Sequence, residues 1–347
     1  MRYAPPVRPG TALFKVFVFP AFILSLVFSV TACASQQGVT SAEEYYSLGM
    51  AYFELGKFDE AEKWLNRARQ VDKTQVASEY NLGRISFETG KYEAAAAYFD
   101  RILQRDPVNV LALKAAAYTW IKLGDLARAE ALYDRVLALV PESTDDGYNY
   151  ALILFALDKP EKTEEVLARH ELALYDNNDA ILLLARAQRA QNKVEAIESY
   201  GKWLANNTSG NNLVRYEYAQ VLEAGEFYAR ALEEYRLLLT ALPQAAAAAN
   251  AGSTAQVTPG AAAEPQRATV RYSIARLLLI ADPDSEEGVT ELTQAVGEGY
   301  ADTAALEALL EDGRVPAARK EAIKRLIGEI TAKETAPAEQ DAPESST

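Results

Sequence analysis

The stretch YYSLGMAYFELGKFDEAEKWLNRARQVD, Tyr45 to Asp72, decides the fold. Apolar and small residues recur in it every three to four positions on either side of Gly56, so it reads as two amphipathic helices joined by a short turn. Its landmarks return every 34 residues: Gly56, Gly90 and Gly124; Ala61, Ala95 and Ala129; Leu65, Phe99 and Tyr133. A fixed period of this size marks a stacked array, in which each unit buries its apolar face on the next, and not one compact core.

Working outward, the first three units cover residues 42–75, 76–109 and 110–143 without insertion or deletion. A weaker unit spans 144–176, with Tyr150, Ala151 and Leu154 in place, Thr163 where alanine is expected, and Pro160 in the turn. The fifth (177–210) carries Leu183, Ala187, Ala196, Tyr200 and Trp203; the sixth (212–245) carries Tyr218, Ala219, Leu222, Ala231, Tyr235 and Leu238. The register is expected to survive there with one-residue adjustments. Six repeats thus fill 41–243. Residues 244–268 form a low-complexity, alanine-rich stretch with Val257 as its only large apolar residue, which is expected to be a disordered insertion. A seventh, degenerate pair from Thr269 and two capping helices fill 269–331, one of them started by Asp302 and stopped by Gly313. The acidic, Ala/Pro/Ser-rich tail, 332–347, is expected to be disordered.

The units resemble the tetratricopeptide repeat. The first supplies Tyr45, Leu48, Gly49, Tyr52, Ala61, Leu65 and Ala68 at the pattern positions, and the second supplies Leu82, Gly83, Ala95, Phe99, Ile102 and Pro107. The resemblance implies an all-α, right-handed superhelical solenoid of about seven helix pairs with C-terminal capping helices. Gly49, Gly83 and Ala117 on the first helices and Ala61, Ala95 and Ala129 on the second are small because the helices approach closely; added methylenes there would cost about 1–3 kcal/mol.

Apolar residues make up 49% and charged residues 24% of the 347, the composition of a folded chain. The net charge is −14, and it falls to −17 without residues 1–33, which hold Arg2, Arg8, Lys15 and no acid. So acidic a chain lacks the basic footprint that nucleic acid requires.

The N-terminus has the layout of an export signal: basic residues, then an apolar run over 16–30 broken only by Pro20, Ser25 and Ser29. That run is short for a membrane span, which takes about 20 apolar residues. It ends in Val30-Thr31-Ala32-Cys33, which resembles the bacterial lipoprotein box. The resemblance implies a signal peptide over 1–32, acylation of Cys33 (a diacylglyceryl group on sulfur and often a palmitate-like chain on the new amine), and a lipidated spacer over 33–40. Cys33 is the only cysteine, so no disulfide forms within one chain. Two or more acyl chains, at about 0.8 kcal/mol per buried methylene, hold a protein stably on a bilayer. The expected location is the bacterial cell envelope, and Ala34 after the cysteine is compatible with the outer membrane.

Catalytic, cofactor and metal sites find no material. His170 is the only histidine, at the end of a second helix where it is expected to be exposed. Glu164/Glu165 and Glu233/Glu234 read as solvated charge on outer faces. The resemblance instead places Tyr46, Tyr80, Lys114, Tyr148, Ile181, Tyr216 and Tyr272 at the fifth position of each repeat, facing the concave groove, with Arg84 and Lys122 nearby to meet acidic groups of a ligand. Tyrosine offers area and a hydroxyl at low rotamer cost; it equally suits packing on the next repeat. The expected function is a non-enzymatic, membrane-anchored scaffold binding proteins or peptides through the concave face. The alternatives are a structural or surface-exposed lipoprotein without a groove ligand and an envelope enzyme. Oligomeric state is not legible.

Overall fold

The computed structural model describes residues 41–170, 176–207, 211–243, 264–282 and 284–335. Cys33 with the signal peptide and spacer, most of the alanine-rich stretch and residues 336–347 lie outside them. The described residues form sixteen α-helices and no strand, so the fold is all-α. The chain divides into two compact units, one ending at Thr119 and the other beginning at Trp120.

The first unit holds α1 (Ala42–Glu54), α2 (Phe58–Val71), α3 (Val76–Glu88), α4 (Tyr92–Arg105) and α5 (Val110–Lys122), within which the division falls. The second holds α6 (Leu126–Leu139), α7 (Thr144–Ala156), α8 (Pro160–Arg169), α9 (Asn178–Ala190), α10 (Ala196–Asn206), α11 (Asn212–Ala224), α12 (Tyr228–Ala241), α13 (Arg267–Ala281), α14 (Glu287–Gly297), α15 (Thr303–Glu311) and α16 (Ala317–Thr335). First helices begin at residues 42, 76, 110, 144, 178 and 212, each 34 after the last.

Local chemistry starts and stops these helices. Ser41 and Glu44 form a capping box at α1, with Glu44 N–H on Ser41 Oγ (3.1 Å) and Ser41 N–H on the Glu44 carboxylate (3.0 Å). Asn177, Asn211 and Asp302 cap α9, α11 and α15 through their side chains. Pro160 opens α8, where no intrahelical partner for its missing N–H is lost. Each first helix then ends on one left-handed residue: Gly56, Gly90, Gly124, Asp158, Asn192 and Glu226, with φ between 55° and 79°. The following N–H reaches back five residues each time, as Lys91 N–H does to Ser86 O (2.8 Å) and Phe227 N–H to Leu222 O (2.8 Å). That bond, with the Gly90 N–H to Phe87 O bond (3.0 Å) beneath it, is the Schellman closure.

Among the six repeats the second helix of the fifth slips in register. Ala196 and Tyr200 each stand one residue early, and short bonds from Ala196 N–H to Lys193 O and Ile197 N–H to Val194 O absorb the shift. Ala61, Ala95, Ala129, Ala196 and Ala231 are fully buried all the same. A methyl added at Gly49 would stand 2.7 Å from Leu65 Cγ, and one at Gly83 2.7 Å from Phe99 Cε1, so the first and second helices meet at these glycines. Thr163 takes the alanine's place with its hydroxyl buried and satisfied, donating to Lys159 O (2.9 Å).

The seventh pair departs from the sequence reading at its start. The helix α13 begins at Arg267, two residues inside the stretch read as insertion, because Arg267 has work there: its Nη1 donates to Leu239 O (2.6 Å) and Leu242 O (3.2 Å), satisfying carbonyls at the end of α12. Likewise α16 runs on to Thr335, past the expected start of the tail at 332. Val315, Ile323, Leu326 and Ile330 are buried with Ala275, Leu279, Leu292, Leu306 and Leu309 in a terminal core, so the capping helices cover the last pair.

Candidate functional site

In the first unit, α1, α3 and α5 place residues 46, 80 and 114 at one helical position, and 84 and 118 one turn on. Tyr46 is half-buried and its hydroxyl oxygen accepts from Asn81 Nδ2 (3.2 Å). Tyr80 packs on Phe99 with ring centroids 5.6 Å apart. Burial raises the Tyr80 phenol above its ordinary value, while the nearby Arg84 and Lys114 pull it down. The structure thus brings Tyr80, Arg84 and Lys114 together. Arg84 lies 4.5 Å over the Phe53 ring, donates to Asn81 Oδ1 (3.0 Å), and forms no ion pair among the described residues. Tyr118, 34 residues after Arg84, sits 5.2 Å from Phe87 and is 48% exposed. The period carried the signal for Tyr118, which reading only the fifth position missed.

In the second unit, Tyr148 is half-buried, its phenol raised by burial and then by Asp179. Ile181, expected in the groove, is instead a core residue, 6% exposed among the side chains of α9, α10 and α11. An isoleucine has no polar tip to keep in water, so it closes into the apolar layer.

Tyr216 and Tyr272 come together in a cleft of about 1140 Å³ walled by α11, α13 and α15 and by the turns before α10 and α12. Tyr272 stacks on Tyr300 with centroids 4.3 Å apart and its hydroxyl donates to Ala305 O (3.1 Å). Behind it Arg276 pairs with Glu223 (2.6 Å), and Tyr235 donates to the same carboxylate (3.2 Å). Burial raises the Glu223 carboxyl, against the pull of Arg276. At the mouth, Arg314 grips Asp312 with two donors (3.1 and 2.8 Å) and reaches Tyr228 Oη (3.4 Å). That fork holds the Asp312 carboxyl down at about 2. Tyr300, Arg314 and Glu223 carry no repeat signature, which is why sequence reasoning missed them.

Three further expectations are corrected. His170 is 6% exposed, because α8 ends at Arg169 and the imidazole turns back onto Gly147, where an added Cβ would stand 2.5 Å from its Cδ2. Glu164 is no free surface charge: it accepts from Gln188 (3.3 Å), Gln191 (2.8 Å) and Lys193 (2.6 Å) across the repeat boundary. Glu234 pairs with Arg215. Lys122 is exposed at the end of α5.

Family models of the tetratricopeptide repeat match residues 42–75 and 80–144. Both describe a repeat, and repeats of this kind generally bind protein partners. A search of curated proteins finds no match. Among solved structures, a tetratricopeptide repeat protein from Parabacteroides merdae is similar at 18% identity, over 84% of this chain and 98% of that one, with a TM-score of 0.46. A MamA protein is similar at 17% identity over 48% of this chain and 92% of its own (TM-score 0.45). MamA from Desulfovibrio magneticus RS-1, from residue 41 to its end, is similar at 19% over 50% and 99% (TM-score 0.45).

Proposed function

We propose that this chain is a non-enzymatic adaptor, lipid-anchored in a bacterial envelope through Cys33, whose first-helix faces grip protein partners. The observation that carries the binding role is the state of the face in the first unit. Arg84 has an aromatic floor and a neutral amide partner but no carboxylate among the described residues, and Tyr118 beside Phe87 is about half exposed. Arginine and tyrosine on a rigid support are the residues that dominate binding energy at protein interfaces. The tyrosines Tyr46, Tyr80, Tyr148, Tyr216 and Tyr272 and Lys114 extend the same role to both units. The lipid anchor is supported by the basic start, the apolar run and Val30 to Cys33; among the described residues no helix is long and apolar enough to cross a membrane.

The test is crosslinking in cells followed by affinity capture, with two variants whose melting matches the parent: Arg84→Ala with Tyr118→Ala, and Tyr46→Ala with Tyr80→Ala and Tyr148→Ala. Loss of specific partners in either variant is the expected result, and an unchanged partner list in both overturns the reading. Cys33→Ser is expected to release the protein from the membrane fraction and to abolish acylation by mass spectrometry. Retention of the variant in the membrane fraction, or a parent protein whose mass carries no acyl chain at Cys33, overturns the anchor.

A further inference from the structure

The charge balance of the cleft in the second unit sorts its ligands. Four cations line it, and each already holds a carboxylate: Arg189 on Glu217 (3.7 Å), Lys193 on Glu164 (2.6 Å), Arg276 on Glu223 (2.6 Å) and Arg314 on Asp312 (2.8 Å). Two more carboxylates line the cleft, Glu226 and Asp302, both exposed and neither in an ion pair among the described residues. Four cations and four carboxylates thus line the cleft, and the two charges among them left without an ion pair among the described residues are both negative.

The placement of these two acids suits a guest cation. Asp302 Oδ1 accepts the Ala305 N–H (3.0 Å) and caps α15, which fixes the carboxylate in position. It stands near the Tyr272 and Tyr300 phenols, both of which it pushes up after burial has done so. Glu226 is held at the left-handed turn residue between α11 and α12, two positions before Tyr228. Four tyrosines, Tyr216, Tyr228, Tyr272 and Tyr300, line the cleft with them, and a guanidinium or ammonium group is attracted to the face of such a ring, as Arg276 is to Tyr272 at 5.9 Å. An acidic guest would meet cations that are already engaged and two carboxylates that repel it.

We propose that this cleft binds a basic segment of a partner protein, a lysine or arginine side chain entering among the tyrosine rings to meet Asp302 and Glu226. This rests on reading the first-helix faces as partner-binding surfaces, and adds the place and the charge of the partner. The chain's net charge of −14 steers such a segment inward.

The test uses the whole chain and fluorescence anisotropy. One fluorescein-labelled decapeptide carries three lysines spaced among glycine, serine and leucine; its counterpart carries glutamate in their place. The lysine peptide is expected to bind saturably, more weakly as salt rises, and the glutamate peptide not at all. Asp302→Asn and Glu226→Gln remove charge with little change of shape, and asparagine caps a helix as well as aspartate does. Each is expected to weaken lysine-peptide binding about fivefold, the worth of one contact ion pair in water. Equal binding of the two peptides, preference for glutamate, or full affinity in the double variant with parental melting overturns the proposal. If cellular capture still depends on the first-helix residues while the lysine peptide fails to bind, the basic-ligand inference falls and the adaptor reading stands. If capture is also unchanged, both fall.

Discussion

The same chemical change, glycine to alanine, should destabilise the first unit for opposite reasons at two positions seven residues apart. Gly90 has φ +75° and nothing within 4 Å of where a Cβ would stand. Its alanine therefore meets no neighbour and suffers only the left-handed backbone, a cost of about 1–2 kcal/mol. The reduced freedom of the unfolded chain returns about 0.5–1 kcal/mol, leaving a loss of about 1 kcal/mol. Gly83 lies within α3, where alanine is the better helix former by about 1 kcal/mol. Its methyl, however, would stand 2.7 Å from Phe99 Cε1, 2.9 Å from Cζ and 3.1 Å from Tyr98 Cβ. Overpacking of about 1–3 kcal/mol outweighs the propensity, again leaving about 1 kcal/mol. Rescue separates the two mechanisms. Phe99→Leu should recover most of the loss from Gly83→Ala and none of that from Gly90→Ala. Gly90→Asn should cost less than half of Gly90→Ala, since Asn192 occupies the equivalent turn with φ +55°. The assay is amide hydrogen exchange by mass spectrometry over α3 and α4, which reports local opening whether or not the two units unfold together. Equal costs for alanine and asparagine at 90, or a Gly83→Ala loss that Phe99→Leu leaves untouched, would refute the reasoning.

Three other outcomes follow from the second unit. Burial, then Asp134 and Glu130, push the Tyr150 phenol up to about 12 from its ordinary 10. A folded-state value above the unfolded one keeps its stability below pH 10 and loses it as pH rises toward 12, here about 2 kcal/mol; melting followed from pH 9 to 12 should fall less steeply in Tyr150→Phe. Glu217 is 9% exposed and serves Arg186 (3.0 Å) and Tyr200 Oη (3.2 Å). Glu217→Ala should cost about 2–3 kcal/mol in urea unfolding, below the value for a fully buried pair because Arg186 is a third exposed. Arg267→Ala, which strips two carbonyls of α12 of their donor, should cost about 1–2 kcal/mol and speed exchange at the α12–α13 boundary first; unchanged protection there would exclude the capping role.

Much of the repeat architecture was legible because its signal is redundant. Gly56, Gly90 and Gly124 punctuate three turns whose left-handed residue tolerates a Cβ poorly, and Ala61, Ala95 and Ala129 mark helix crossings with no room for more. Where the turn residue becomes Asp158, Asn192 or Glu226 the glycine signal disappears while the geometry persists. Those three positions carry no glycine mark, although they lie on the same 34-residue grid and Pro160 still marks the turn beside Asp158. A place at a helix end usually leaves a histidine exposed, but α8 stops at Arg169 and the chain turns His170 inward onto Gly147.

The period, the small residues and the caps made helix pairs inevitable, because each acts within one turn or between adjacent helices, at distances set by local sequence. The cleft is another matter. Tyr300, Arg314 and Asp302 follow the last full repeat and face Tyr216, Glu223 and Tyr228 from residues some seventy to ninety positions earlier. Which carboxylates stay unpaired there depends on which cations arrive first from other helices, as Arg276 does at Glu223 across 53 residues. No periodicity encodes that: ion pairing is decided by which charges the packed helices bring within about 4 Å, and only the tertiary structure selects them.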